Sequence, residues 1–277
     1  MINLKKTAAA AALAVTVLPS FAAIAINQEG ANELTLTVWS ASQNASYIQD
    51  LGLTLSGFMT NGMSEAGYSF SAAATSLLPT SLSGATDLRW AVTVYDTQGD
   101  LNPGTLRLVT TVNNATPLVP KNVGNVALVP FADGTALQNG SATWLSYIGF
   151  SNVKGTNPTQ ANGSAYVTAA DGDAYFLGAG HPRGTMNDFL SFQTGNAKNA
   201  ASKMWFFTSA DADFGDTQGE ADLFKNSKNT GLWNFNGSTL TYALAPAIAV
   251  PEPGTYVLFI AGLAGIGLLV RRRGFGA

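Results

Sequence analysis

Leu232-Trp233-Asn234-Phe235-Asn236-Gly237-Ser238-Thr239-Leu240-Thr241-Tyr242 is the stretch that decides the fold class. Two short runs of β-forming residues flank Asn236-Gly237, a pair that favours positive φ at both central positions of a tight turn and so predicts a β-hairpin. Outward from it, the same period recurs along the chain. Residues 33–40 set Leu34, Leu36 and Val38 against Thr35, Thr37 and Trp39, with β-formers on both faces. Residues 51–55 repeat the alternation after a turn-prone 42–46. Further strands are predicted at 88–95, 106–112, 123–129, 165–169 and 204–208.

Helical periodicity is sparse. Residues 141–150 predict one helix, with Leu145, Ile148 and Gly149 on one side, and 185–192 a short second one. Many short strands punctuated by Gly and Asn, without a tandem repeat, predict an all-β body, a single β-sandwich or jelly-roll-like domain.

The body is bounded by two segments of different character. Residues 1–25 carry Lys5 and Lys6, an apolar stretch over 7–18, the breaking Pro19 and then Ala23-Ile24-Ala25, the layout of a cleavable signal peptide for the Sec translocon. Cleavage is expected after Ala25, with Ala23 as the alternative. At the other end, residues 250–277 join Val250-Pro251-Glu252-Pro253-Gly254 to an uncharged run over 255–270 and then Arg271, Arg272 and Arg273. Sixteen helical residues reach about 24 Å, just enough for a hydrocarbon core of ~30 Å when flanking residues adjust. Tyr256 suits the outer interface, and the three arginines hold their end in the cytoplasm, which places the body outside. The two prolines keep Glu252 extended and bar the helix from growing upstream.

Residues 26–249 therefore form the exported body, long enough for one domain with its own core. Of the chain's 14 basic residues the two end segments take five, and of its 17 acidic residues only Glu252, so nine bases against sixteen acids leave the body near −7. That balance disfavours nucleic acid and anionic lipid as partners, since both need clustered Lys or Arg. The chain has no cysteine, so the core alone must hold it together.

Val250-Pro251-Glu252-Pro253, the apolar span behind it and the terminal arginine cluster resemble the PEP-CTERM sorting signal of exported proteins in Gram-negative, exopolysaccharide-producing bacteria. The resemblance implies that the tail is recognised and removed by exosortase, an integral membrane protease or transpeptidase with a cysteine nucleophile. A chain without cysteine is then its substrate. A cell-surface, extracellular-matrix or biofilm protein is expected, not an enzyme, with extracellular polysaccharide as a partner; a glycan-binding module or a secreted hydrolase is the alternative. A weaker likeness joins residues 33–40 and Ser46-Tyr47-Ile48-Gln49-Asp50-Leu51-Gly52 to the opening of uncharacterised PEP-CTERM extracellular proteins, and by itself reads as an edge strand and a turn.

Three groups within the body are candidates for chemistry. His181, the single histidine, lies in a Gly-rich loop without a nucleophile-elbow motif and is expected to be an exposed loop residue. Asp211, Asp213, Asp216, Glu220 and Asp222 are the densest run of acids. They read as a solvated acidic loop, with a calcium site as the alternative, because carboxylates converging from one loop suit a hard cation. Their spacing departs from an EF-hand, with Gly215 at the fifth position and Asp222 at the twelfth. Trp39, Trp90, Trp144, Trp205 and Trp233 would form a glycan-stacking platform if they lined one exposed face, and otherwise belong to the core. Asp171-Gly172-Asp173 is a turn signal.

Overall fold

The computed structural model of the chain describes residues 23–26, 31–96, 107–113, 128–129, 134–178, 195–209 and 219–247. Among the described residues there are twelve strands: β1 (Glu33–Ser40), β2 (Ala45–Thr54), β3 (Tyr68–Ala73), β4 (Arg89–Asp96), β5 (Arg107–Val112), β6 (Leu128–Val129), β7 (Ser164–Thr168), β8 (Asn196–Ala197), β9 (Ser202–Ser209), β10 (Gly219–Leu223), β11 (Leu232–Phe235) and β12 (Thr239–Leu244). Three α-helices accompany them: α1 (Leu55–Asn61), α2 (Thr80–Ser83) and α3 (Gly134–Ser151).

The described residues are mostly β, as expected, with few helices, and where a single sandwich or jelly roll was expected the strands form one curled sheet. All strands belong to one antiparallel sheet, whose main path runs β3-β12-β11-β9-β5-β4-β1-β2-β7. The bend lies at β9. Its first edge is taken by β5, while its second is shared, β11 pairing Lys203 and Ser202, and β10 pairing 205–209. The sheet forks there, and β11, β12 and β3 turn over the inner face. The curl brings its two edges together: Gln49 Nε2 on β2 donates to Ala73 O at 3.1 Å, Tyr47 Oη lies 3.1 Å from Thr75 Oγ1 and accepts from Thr75 N at 3.0 Å, and Thr75 Oγ1 lies 2.5 Å from Ser164 Oγ on β7. Side chains thus close a sheet that backbone pairing leaves open, and so help protect its edge.

The curl buries the inner face and α3 covers the outer one, which accounts for β-formers on both faces of β1. The inner core takes Leu34, Leu36 and Val38 with Trp90, Val92, Trp233 and Tyr242. Phe58, carried in by α1, centres it, with ring centroids 5.0 Å from Phe224, 5.1 Å from Tyr242 and 5.6 Å from Trp233. The outer core takes Trp39, Ile48, Tyr95, Trp205 and Phe207 under Trp144, Tyr147 and Ile148 of α3. The buried face of α3 therefore runs through Trp144, not through Leu145 and Gly149, and Gly149 is exposed. Residues 33–40, expected as an edge strand, form β1 between β2 and β4, and 46–52, expected as a turn, lie within β2.

The hairpin expected at 232–242 is formed by β11 and β12, with Trp233 opposite Tyr242 and Phe235 opposite Leu240. Its turn differs from the expected one. Asn236 N donates to Thr239 O at 3.2 Å, so Gly237-Ser238 are the central pair, and positive φ (98°) falls on Gly237 alone. That is what a type II′ turn asks of its first central residue. Asn236 instead stands outside the centre, where its Oδ1 accepts from Ser238 N at 2.9 Å and Thr239 N at 2.8 Å.

Candidate functional site: the junction of body and tail

β12 delivers the chain to residues 245–247, the last described before the Pro-Glu-Pro segment. Those residues are fastened to the body. Asn226, 4% exposed, donates from Nδ2 to Ala245 O at 2.7 Å and Ser64 O at 3.3 Å, while its Oδ1 accepts from Lys228 N at 3.0 Å and Asn229 N at 2.7 Å. Asn229 Nδ2 donates to Pro246 O at 3.1 Å, and Ala247 N to Glu65 O at 3.0 Å. The Glu65 carboxylate in turn accepts from Ser227 N and Ser227 Oγ, both at 2.9 Å. An Asx-type turn over 226–229 thereby presents two amides to the departing backbone.

Gly67 makes the close approach possible. It sits at φ 80°, and a Cβ there would stand 2.7 Å from Pro246 N, so only glycine fits on both counts. Beside this crossing an open groove of about 570 Å³ lies between residues 66–69 and 243–246. Only Ile248 and Ala249 separate the fastened Ala247 from Val250.

Val250, Pro251, Glu252, Pro253, Arg271, Arg272 and Arg273 lie outside the described residues, as do His181, the 185–192 helix and Asp211, Asp213 and Asp216. Among the described residues no helix is long and apolar enough to cross a membrane. Glu220 and Asp222 occupy alternate positions of β10, opposite Thr208 and Phe206. The acidic run is therefore not one loop to its end: Ala221 and Leu223 between and beyond those acids are buried, which is the alternation of a half-buried strand.

The five tryptophans are all buried, with Trp39, Trp144 and Trp205 in the outer core and Trp90 and Trp233 in the inner. They form no exposed platform. Asp171-Gly172-Asp173, read as a turn signal, lies in the 3-10 stretch Ala169–Ala174, which kinks at Gly172 (φ 62°), and Asp171 accepts from Thr168 N and Lys154 Nζ, both at 2.9 Å.

Two acids missed at the level of sequence have unusual environments. Asp87 accepts from Ser40 Oγ at 2.5 Å, Ser42 N at 2.8 Å and Ser42 Oγ at 2.8 Å, and these bonds lower its pKa to about 2. The arrangement fastens the β1–β2 turn. Asp50, 3% exposed on β2, is pushed up to about 6, chiefly by burial and further by the charge of Glu33, against the opposing bond from Gly52 N at 2.8 Å. Nothing in the sequence around Asp50 marks it as buried except its place on the Thr35 face, to which it pairs.

Residues 249–273 match the family model described as the PEP-CTERM protein-sorting motif. No curated protein and no solved structure matches the chain. The chain thus carries a PEP-CTERM sorting motif on a body of uncharacterised family. The motif implies an exported protein, anchored in the membrane before processing, with exosortase as its processing partner.

Proposed function

We propose that the folded body is a non-catalytic component of the cell surface or extracellular matrix, associated with exopolysaccharide and released to that place when exosortase removes the tail. The observation that carries this reading is the sorting motif at 249–273, set immediately behind a body fastened as far as Ala247. Export begins at the N-terminal signal peptide through the Sec translocon, and the membrane holds the chain by residues 255–270 until the cut is made within 251–254. Body and address are separate: the tail decides the destination and the curled sheet survives it.

Two properties of the body limit how it would meet polysaccharide. It is net negative, so simple charge attraction does not draw it to acidic polymers. Contact with polysaccharide on this reading is made by hydroxyl and amide side chains, since the tryptophans are spent in the two cores. The test is fractionation of the native host expressing the full-length gene, followed by co-sedimentation of the exported protein with purified host exopolysaccharide. Recovery in the surface fraction and in the polysaccharide pellet is expected. A protein retained in the inner membrane with its tail, or one that stays wholly in the supernatant, contradicts the reading.

A further inference from the structure

We propose that signal peptidase cuts between Ala22 and Ala23, so that residues 23–26 stay with the exported chain as a strap of its fold. The inference rests on the export reading above, but is carried by the strap itself. Ile24 is 2% exposed and belongs to the outer core. Its backbone is held on both sides by one amide: Ile24 N donates to Asn152 Oδ1 at 2.9 Å and Asn152 Nδ2 donates to Ile24 O at 3.1 Å. The next residue is paired with the head of β1, Ala25 N donating to Glu33 Oε2 at 2.7 Å and Glu33 N to Ala25 O at 3.1 Å. Ile26 packs against the same core.

A cut after Ala25, expected from the small residues Ala23 and Ala25, would remove residues 23–25 and leave Ile26 as the new N-terminus. It would vacate the place of Ile24 in the core, leave the Asn152 amide without either strap partner and strip Glu33 of two bonds. Signal peptidase asks for small residues at the first and third positions before the scissile bond. Ser20 and Ala22 satisfy both for a cut after Ala22, whereas a cut after Ala23 would put Phe21 at the third position. The bond between Ala22 and Ala23 is therefore the one that suits the peptidase and leaves the strap whole.

The experiment is N-terminal peptide mapping by mass spectrometry of the exported protein, expressed as the full-length chain in its native host. The account expects a mature start at Ala23, and expects Ala22→Leu to abolish that start. A start at Ile24, at Ile26 or further downstream overturns the assignment, as does an Ala23 start that persists in Ala22→Leu. A chain that keeps Met1 also overturns it, and is told apart because there the export reading fails as well.

Discussion

Asp50 is the residue whose environment makes the clearest demand on pH. Its folded pKa, about 6, lies above the ordinary 3.8, so between those values the folded state holds a proton that the unfolded state has released. Stability therefore falls as pH rises through that window and stays lower above it, by an upper bound of ~3 kcal/mol. Asp50→Asn keeps an oxygen for Gly52 N and removes the charge. The variant is expected to be more stable than the wild type at pH 7 and nearly equal at pH 4, read from urea midpoints. Parallel pH profiles would contradict this. Asn226 tests the junction: Asn226→Ala removes two bonds to carbonyls and two acceptors for amides, an expected cost of about 2–4 kcal/mol at ~1 kcal/mol per bond. The thermal melt should drop accordingly, with faster amide exchange at Ala247, and an unchanged melt would show the fastening to be ornamental.

At the scale of elements, the closure of the sheet rests on Tyr47. Tyr47→Phe deletes the hydroxyl that bonds Gln49 Oε1 at 2.7 Å and accepts from Thr75 N, leaving that amide without its side-chain partner. A loss of about 1–3 kcal/mol is expected, with amide exchange accelerated in β3 more than in β1. Equal acceleration throughout would mean that the edges do not depend on this contact. Much of the element list was legible: β1, β4, β5, β9, β11 and β12 stand where alternation of β-formers put them, because a buried sheet face imposes period two. β10 was lost because Glu220 and Asp222 read as part of an acidic loop, although Ala221 and Leu223 carried the strand signal. β3 was passed over, although Tyr68, Phe70 and Ala72 alternate with Ser69, Ser71 and Ala73. What local pattern could not yield was pairing: that β9 serves β5, β10 and β11 depends on contacts far apart in sequence, and this turns an expected sandwich into one curled sheet. The face of α3 was misjudged for a related reason, since Trp144 is placed by Tyr95 and Tyr147 around it, not by the helix's own apolar count. At the junction, the motif was plain in Val250 to Pro253, but its fastening came from Asn226 and Gly67, ordinary residues made specific only by the fold.

For the whole molecule, the account makes the body independent of its tail. Among the described residues both cores are built from residues within 24–244, and the chain holds no cysteine. A chain ending at Ala249 is therefore expected to be soluble and to unfold in one cooperative β-type transition, the same with and without reductant, by circular dichroism. An aggregated or non-cooperative product would mean that the tail completes the core. The most direct test of the central claim, a sorted body parted from a removable tail, is intact-mass and C-terminal peptide analysis of the exported protein from its native host. The account predicts a C-terminus within residues 251–254 and no peptide from residues 255–277. A mature protein that still ends at Ala277 would contradict it.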